Sequence, residues 1–306
     1  MTNELLNKQE SKLLFLDIET ASLHKELDVK SEEFRLWQYK NRDRQTDKLP
    51  TTAETKKLYK TRAALNPLYG QVVAVTIGFI HNDKIILKTF KGKEKDILRN
   101  VVDLLNNNVG KEIIIWNKDF DMPFLRKRFF VNKLENYLSD AIGNDSMKKP
   151  WTLKGVVDLM EVWKGISYYN DSLDEVAVAL GVESPKQNLK GSEVSEAFWK
   201  GKIDNIASYC EDDVIALINV FRVMTYKSII TEVERKNDEV TKVGLIDKIK
   251  NTGRYTKALE KEVLKKARSL GKEEKLMLVD LVNSALALNK QKLTEEQKNK
   301  INDKIR

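Results

Sequence analysis

The chain has very few of the residues that build disulfides, zinc sites and histidine-based catalysis. Among its 306 residues, Cys210 is the single cysteine, and His24 and His81 are the two histidines. One cysteine excludes an intrachain disulfide and a cysteine-based zinc site. Two histidines are too few for most His-ligated metal sites, and a Ser-His-Asp mechanism would have to use one of them. Any catalysis must therefore depend mainly on carboxylates, lysines, tyrosines or serines.

Long apolar segments are also missing from the sequence. No stretch approaches the roughly 20 apolar residues that are needed to cross a bilayer. The apolar run at 13–16 is too short for the core of a secretory signal, and Asp17 follows it directly. We therefore expect a cytoplasmic protein without a membrane partner.

The charge of the chain is moderately positive. Lys and Arg number 54 against 46 Asp and Glu, which gives a net charge of +8 and a pI of about 9.2. Such a surplus favours a polyanionic partner such as nucleic acid or an anionic membrane surface, but ordinary surface charge explains it about equally well. Residues 229–306 hold 19 Lys and Arg against 13 Asp and Glu. This segment could follow a DNA backbone, associate with itself, dock a replication protein or only present solvated helix faces.

The apolar pattern predicts a mixed α/β sheet. A buried strand at 13–16 is followed by a hairpin at 72–80 and 85–90 and by a helix at 97–105. A strand at 113–116, a helix at 120–129, a strand at 156–159 and then helices, with the longest at 203–224, complete the order. We expect a five-stranded sheet flanked by helices, with an active site at the carboxyl ends of its central strands. We place one domain at 1–228, with a helical insertion at about 24–66, and a basic helical C-terminal extension at 229–306.

Acidic residues follow the first predicted strand in a pattern that suits metal binding. Asp17 and Glu19 are two residues apart, so in a strand both side chains point to the same face. Carboxylates on a buried strand are costly unless a cation compensates their charge. The pattern Asp-x-Glu is nevertheless common, and alone it is a weak signal.

Two further acidic patterns lie downstream. Asn117 and Asp121 stand where a strand ends and a helix begins, where helix capping is the structural alternative for Asn117. Tyr209 and Asp213 are four residues apart on the long predicted helix, so their side chains meet on one face. An exposed acidic patch is the alternative there, and each pattern alone is more often structural than functional.

Taken in order, the Asp-x-Glu strand, the Asn-x-x-Phe-Asp turn and the Tyr-x-x-x-Asp helix resemble the three exonuclease motifs of the DEDD, or DnaQ-like, superfamily, whose fold is RNase H-like. Residues 67–80, 173–181 and 191–221 are similar to proofreading-exonuclease-like proteins related to family B DNA polymerases. The resemblance covers roughly residues 10–225. Position 208 is a serine and not the histidine of the His subtype, so Tyr209 indicates the Tyr subtype, DEDDy.

The resemblance implies a set of catalytic residues and a reaction. Asp17, Glu19, Asp121 and Asp213 would bind two Mg²⁺ or Mn²⁺ ions, and Tyr209 would orient the attacking water. The expected activity is 3′-5′ exonucleolytic hydrolysis of the terminal phosphodiesters of DNA, with a single-stranded 3′ end as substrate. No polymerase domain follows, so we expect a stand-alone enzyme of proofreading, replication or repair.

Two other functions stay open on the sequence alone. The same four carboxylates serve exoribonucleases, because discrimination depends on how the site treats a 2′-hydroxyl. A catalytically idle nucleic-acid-binding or replisome-docking module is the third reading, and the complete carboxylate set with its tyrosine argues against it.

Weaker candidates for substrate binding are Thr20, Asn117, Lys186 and Lys190. Each has a structural alternative: a hydrogen bond within the fold for Thr20, helix capping for Asn117, and a solvated basic loop for the two lysines. Asp158, at the end of the last predicted strand, is expected to support the structure around the site.

Overall fold

The computed structural model describes residues 5–108, 110–134, 155–185 and 189–236, together with Val282. The chain divides into two compact units, Met1–Asn237 and Asp238–Arg306. All secondary structure given below belongs to the first unit. Most of the predicted extension at 229–306 falls outside the described residues, so its helical character and its suggested partners stay predictions.

Six strands form one sheet in the described part of the chain. They are β1 (Leu13–Ser22), β2 (Gly70–His81), β3 (Lys84–Lys91), β4 (Glu112–Ile115), β5 (Val156–Asp158) and β6 (Val233–Arg235). Their order in space is β5-β4-β1-β2-β3-β6. β1 runs parallel to β4 and antiparallel to β2, and β5 is parallel to β4. This mixed sheet with its flanking helices confirms the predicted RNase H-like α/β class.

The helices lie between and after the strands. They are α1 (Glu32–Lys40), α2 (Thr52–Arg62), α3 (Glu94–Asn106), α4 (Lys118–Val131), α5 (Leu159–Lys164), α6 (Leu173–Ala179), α7 (Val194–Trp199) and α8 (Ile203–Met224). Among the described residues, no helix combines the length and the apolar character that crossing a membrane requires.

The sheet has six strands where the sequence predicts five. The additional strand is β6, which pairs in parallel with β3 at the edge of the sheet through Ile85 and Val233. Its three residues lie in the segment that the sequence assigns to a helical extension. A strand of three residues carries no periodicity long enough to detect, and here pairing with an existing edge determines its conformation.

The hairpin between β2 and β3 follows from its turn residues. Asn82 and Asp83 both have positive φ, at 49° and 55°, which is the backbone of a two-residue type I′ turn. Asn and Asp tolerate this conformation better than other residues with a side chain. The predicted hairpin is thereby confirmed, with strands one to two residues longer at each end.

The insertion between β1 and β2 has a small core of its own. The helices α1 and α2 begin at Ser31 and at the capping box of Thr51 with Glu54. Trp37 is buried between Tyr59 and Tyr69, with ring centroids 5.5 and 4.7 Å away in edge-on geometry. Phe34, Trp37 and Tyr59 therefore form the core of this segment, whereas Tyr39 is exposed.

A buried ion pair fixes the start of α3 against α4. The Arg128 guanidinium donates from Nε and Nη2 to the two carboxylate oxygens of Glu94, each at 2.7 Å, and both side chains are almost fully buried. Glu94 also accepts from the Val72 N–H and from Asn132 Nδ2, both at 2.8 Å. With every oxygen of the carboxylate occupied, this pair locks α4 in place beside β2.

The helix α8 packs against β1, β2 and β3, and Gly78 sets how closely it approaches. A Cβ atom at Gly78 would lie 2.6 Å from Val214 Cγ1 and 3.0 Å from Ile218 Cδ1. Only glycine fits at this point without displacing the helix.

We expect Gly78→Ala to lower the free energy of unfolding by about 1–3 kcal/mol, because the added methyl overfills a packed interface. Chemical denaturation measures this loss. Val214→Ala alone should also destabilise the fold through the cavity it leaves. The double variant should lose clearly less than the sum of the two changes, because the smaller side chain makes room for the new methyl. Strict additivity would contradict the proposed contact.

Candidate functional site

Three carboxylates converge where β1 passes under α8. Oxygen atoms of Asp17, Glu19 and Asp213 all lie within 4.8 Å of one another. Asp17 and Glu19 belong to β1, and Asp213 belongs to α8. This spacing brings three negative charges into one small volume.

The convergence arises from the alternation of side chains along β1. Leu13 and Phe15 point to the face covered by α8, and Phe15 contacts the Phe221 ring edge-on at 5.4 Å. Asp17 and Glu19 continue the same alternating series. One face of the strand therefore changes from apolar to acidic along its length. The sequence pattern predicts a strand at 13–16 with the acidic residues after its end, whereas β1 continues to Ser22 through its pairing with β2 and carries Asp17 and Glu19 within it. The pairing of β1 with β2 shifts register between Glu19 and Thr20, as in the bulges that often adjoin active sites.

The fourth predicted carboxylate comes from the first turn of α4. Asp121 is 6% exposed, and the cluster of three does not include it. It is close enough to the other three for its charge to be felt by each of them. Its carboxylate accepts from the Ile18 backbone N–H. Past Phe15 the pairing of β1 with β4 ends, which leaves that N–H available.

Burial and mutual repulsion make these acids hard to ionise. Burial is the main cause that raises the pKa of Asp17 and Glu19 well above their usual values, and repulsion from Asp213 and Asp121 raises both further. Burial also raises the pKa of Asp121, to about 7, against the lowering effect of its backbone hydrogen bonds. A proton or a metal cation is needed to hold this group of carboxylates together.

Tyr209 completes the cluster one helical turn before Asp213. The side chain is 7% exposed, and its hydroxyl donates a hydrogen bond to the Asp213 carboxylate. Burial is the largest cause that raises the pKa of Tyr209, followed by the charge of Asp213. The phenol therefore keeps its proton at neutral pH, so it can orient a water molecule but cannot serve as a base.

The donor set suits hard divalent cations. Mg²⁺ and Mn²⁺ prefer carboxylate oxygens, and this cluster offers them at short mutual distances. In the part of the chain that the structure describes, neither Asp17 nor Glu19 forms an ion pair with a lysine or arginine. After burial, the main causes that raise the pKa of Asp17 and Glu19 are the charges of the neighbouring carboxylates. The residues present therefore fit a metal site.

The predicted substrate-binding residues have different surroundings. The Thr20 hydroxyl donates to the Ala64 carbonyl at 2.8 Å, which favours its structural alternative. Asn117 precedes α4 without a capping hydrogen bond from its side chain, so capping does not occupy it. Lys190 is exposed and lies next to Gly191, where a Cβ would be 3.9 Å from the Tyr209 hydroxyl oxygen. Lys186 falls outside the described residues.

Cys210 contacts the cluster, which the sequence reasoning missed. Its buried thiol donates to Asp17 Oδ2 at 3.3 Å. Burial is the first cause that raises the pKa of Cys210, and the Asp17 charge adds to it, so the thiol stays a donor. The available signal was its place on the inner face of the helix, beside Tyr209.

Asp158 supports the site from β5, as the sequence analysis expects. Its Oδ1 accepts from the N–H groups of Met160 and Glu161 and caps α5, while its Oδ2 accepts from the Lys118 N–H at 3.0 Å. One buried carboxylate thereby joins the starts of α4 and α5. This fixes the turn of helix that carries Asp121.

These charges predict an unusual stability profile for the metal-free protein. The pKa of Asp121 is about 7 in the folded chain against 3.8 ordinarily, so between these values the folded state binds more protons than the unfolded state. The free energy of unfolding must fall as the pH rises through this window. In EDTA, we expect a melting temperature that decreases from about pH 4 to about pH 7.

The variant Asp17→Asn should reverse part of that loss. It removes one repelling charge with little change of shape, and we expect it to stabilise the metal-free protein by about 1–2 kcal/mol at high pH. Asp204→Asn, at an exposed position of the same helix, is the matched control and should change little. If Asp17→Asn melts below the unmodified protein in EDTA, repulsion does not govern this cluster.

The chain is similar to known proteins in sequence and in structure. A structural neighbour is the family B DNA polymerase from the hyperthermophilic archaeon Pyrobaculum calidifontis, at 17% sequence identity and a TM-score of 0.45. The match covers 70% of this chain and 27% of that polymerase. No curated protein matches the sequence. Residues 65–262 match the family described as "Predicted 3'-5' exonuclease related to the exonuclease domain of PolB". This match spans well over half of the sequence, so the chain belongs to this family of predicted 3′-5′ exonucleases.

Proposed function

We propose that this protein is a metal-dependent 3′-5′ exonuclease that hydrolyses terminal phosphodiesters of DNA and acts in replication, proofreading or repair. The observation that supports this most strongly is that oxygen atoms of Asp17, Glu19 and Asp213 lie within 4.8 Å of one another. The Tyr209 hydroxyl donates a hydrogen bond to Asp213. Family membership supports the polarity of the reaction.

The carboxylates are assigned to two Mg²⁺ or Mn²⁺ ions. Asp17, Glu19 and Asp213 would hold one of them, while Asp121 would join Asp17 at the other. When bound, a pair of such ions lowers the pKa of a water molecule and stabilises the charge that develops on the leaving oxygen. Ionisation of the cluster and metal binding are thereby linked, because each carboxylate must lose its proton to become a ligand.

Tyr209 is assigned to positioning. Its retained proton can be donated to Asp213 or shared with a water molecule beside the scissile phosphate. Gly191 lies close to that hydroxyl and follows the exposed Lys190, whose ammonium group could contact the phosphates of a nucleic acid strand. Asn117 and Lys190 are therefore proposed to contact the substrate. Lys186 lies outside the described residues, so its contact with substrate stays a prediction.

The choice of DNA over RNA rests on the relationship to polymerase exonucleases. The carboxylate chemistry is the same for both polymers, so an exoribonuclease is the alternative enzyme. A non-catalytic binding module is the alternative outside enzymology, and the intact cluster with its tyrosine speaks against it.

Activity is tested with 5′-labelled single-stranded DNA and RNA of matched sequence in Mg²⁺, Mn²⁺ or EDTA. We expect a ladder of products shortened from the 3′ end of DNA, and none in EDTA. The double variant Asp17→Ala, Glu19→Ala should lose at least about 100-fold in rate, because a metal site supplies several kcal/mol of transition-state stabilisation.

The control for this loss is Asp204→Asn, which removes a carboxylate from α8 at an exposed position away from the cluster and should keep full activity. A ladder on RNA alone would keep the mechanism and change the substrate. No ladder on either polymer, with folded protein and metal present, would overturn the proposal in favour of a binding module.

The role of Tyr209 is tested separately with Tyr209→Phe. The ring and its burial are kept and only the hydrogen bond to Asp213 is lost, so we expect the rate constant kcat to fall about 10- to 100-fold through misplacement of the water. KM and the metal requirement should stay nearly unchanged. If the variant instead shows a shifted metal optimum with normal kcat at saturation, Tyr209 acts on the ligand Asp213 and not on the water.

A further inference from the structure

Three large side chains stand in solvent on the loop between α5 and α6. Ile166, Tyr168 and Tyr169 are 102%, 96% and 82% exposed. Single exposed apolar residues are ordinary, but three within four residues form a patch that is costly in water. We call these three residues the aromatic loop surface.

The loop that carries this surface is connected to its surroundings by side-chain hydrogen bonds at Asn170 and Asp171. The Trp116 and Trp163 ring N–H groups donate to Asp171, to its carbonyl at 3.3 Å and to Oδ2 at 2.8 Å. Lys164 Nζ donates to Asn170 Oδ1 at 2.8 Å. Two tryptophans thus fix the position of Asp171 at the end of the loop. The rings of Tyr168 and Tyr169 take part in no ring-to-ring contact among the described residues.

Both ends of this loop are tied to the segment that bears Asp121. Trp116 directly precedes Asn117 and the first turn of α4. At its other end the loop follows α5, whose cap Asp158 also binds the Lys118 N–H. The helix α5 is six residues long, or about 9 Å, so only this short helix separates the loop from the contact between Asp158 and α4.

We infer that the aromatic loop surface is a stacking platform for the bases of a single-stranded nucleic acid whose 3′ end occupies the carboxylate cluster. Aromatic rings that are open to solvent can stack on any base, because every base has a π-face. Tyrosine provides a large contact area and loses little side-chain entropy. The charge of the loop is compatible with a nucleic acid ligand. Its one acidic residue, Asp171, accepts a hydrogen bond from the Trp163 ring N–H, so this carboxylate is not directed at a phosphate backbone.

This inference rests on the proposed function and adds a surface of the protein that would bind the single-stranded substrate. A duplex hides its bases, so a platform of this kind selects an unpaired strand that is several nucleotides long. It would hold the strand upstream of the scissile bond. A substrate with a single nucleotide would reach the carboxylates but not the tyrosines.

The test compares the double variant Tyr168→Ala, Tyr169→Ala with the control Tyr226→Ala. Tyr226 is 87% exposed and follows the far end of α8, more than about 20 Å along that helix from Tyr209. On a single-stranded oligonucleotide we expect the double variant to raise KM roughly 10-fold or more. The control variant should leave KM unchanged, and Tyr168→Phe, Tyr169→Phe should retain tight binding because stacking needs the ring and not the hydroxyl.

A second substrate separates the platform from the chemistry. On thymidine 5′-p-nitrophenyl phosphate, a mononucleotide ester, the double variant should hydrolyse as fast as the unmodified protein. An oligonucleotide with abasic sites upstream of its 3′ end should bind the unmodified protein more weakly and make no difference to the double variant. Binding is measured by fluorescence anisotropy in the Asp17→Asn background, so that this readout does not depend on activity.

The outcomes are distinct. If the double variant and Tyr226→Ala bind and cut oligonucleotides alike, the platform does not exist, whatever the activity of the protein. If unmodified protein hydrolyses neither substrate, the proposed function fails, and the anisotropy comparison alone then decides whether the surface stacks bases. Equal losses on the ester and the oligonucleotide would also overturn the inference, because they would show a damaged site rather than lost stacking.

Discussion

The burial of acidic side chains beneath α8 is the constraint on which the rest of this structure depends. A strand that begins Leu-Leu-Phe-Leu fills the centre of a sheet, and its inward face then continues as Asp17 and Glu19. Hydrophobic packing of Phe15 against Phe221 brings the helix close. The same closeness forces Asp213 against the strand carboxylates. Apolar contacts at one end of the interface thereby hold repelling charges together at the other.

Polar groups other than lysine and arginine surround these acidic side chains in the part of the chain that the structure describes. Cys210 donates to Asp17, and the Ile18 N–H donates to Asp121. Asp158 fixes the helix starts behind Asp121 by accepting three backbone hydrogen bonds. Each of these contacts favours the placement of a ligand oxygen, and none of them neutralises its charge. The described residues therefore form an acidic site in which no lysine or arginine pairs with Asp17 or Glu19.

Local signals in the sequence were sufficient for the central elements. The apolar run before Asp17, the Asn-Asp turn and the broad apolar face of 203–224 each predict their element, because periodicity and turn chemistry act within a few residues. The same reasoning places Tyr209 beside Asp213. What escaped it depends on contacts between distant residues. The strand β6 exists because β3 offers an edge, the Cys210 thiol matters because Asp17 lies 193 positions away, and the Thr20 hydroxyl is engaged by Ala64 of the insertion.

Because β6 follows α8 in the chain, it is the last strand of the sheet to be synthesised. The edge of β3 that it covers carries the buried residues Ile85 and Leu87. During synthesis this edge stays open until residues beyond α8 have emerged, and an open apolar edge is a template for pairing with other chains. The Arg235 side chain, which donates to Glu211 Oε2 at 2.6 Å, then ties the last strand to the helix that bears Tyr209 and Asp213. A recombinant fragment that stops after α8 would keep every proposed catalytic residue but would leave the edge of β3 exposed and prone to aggregation. Such a fragment should therefore extend past Arg235.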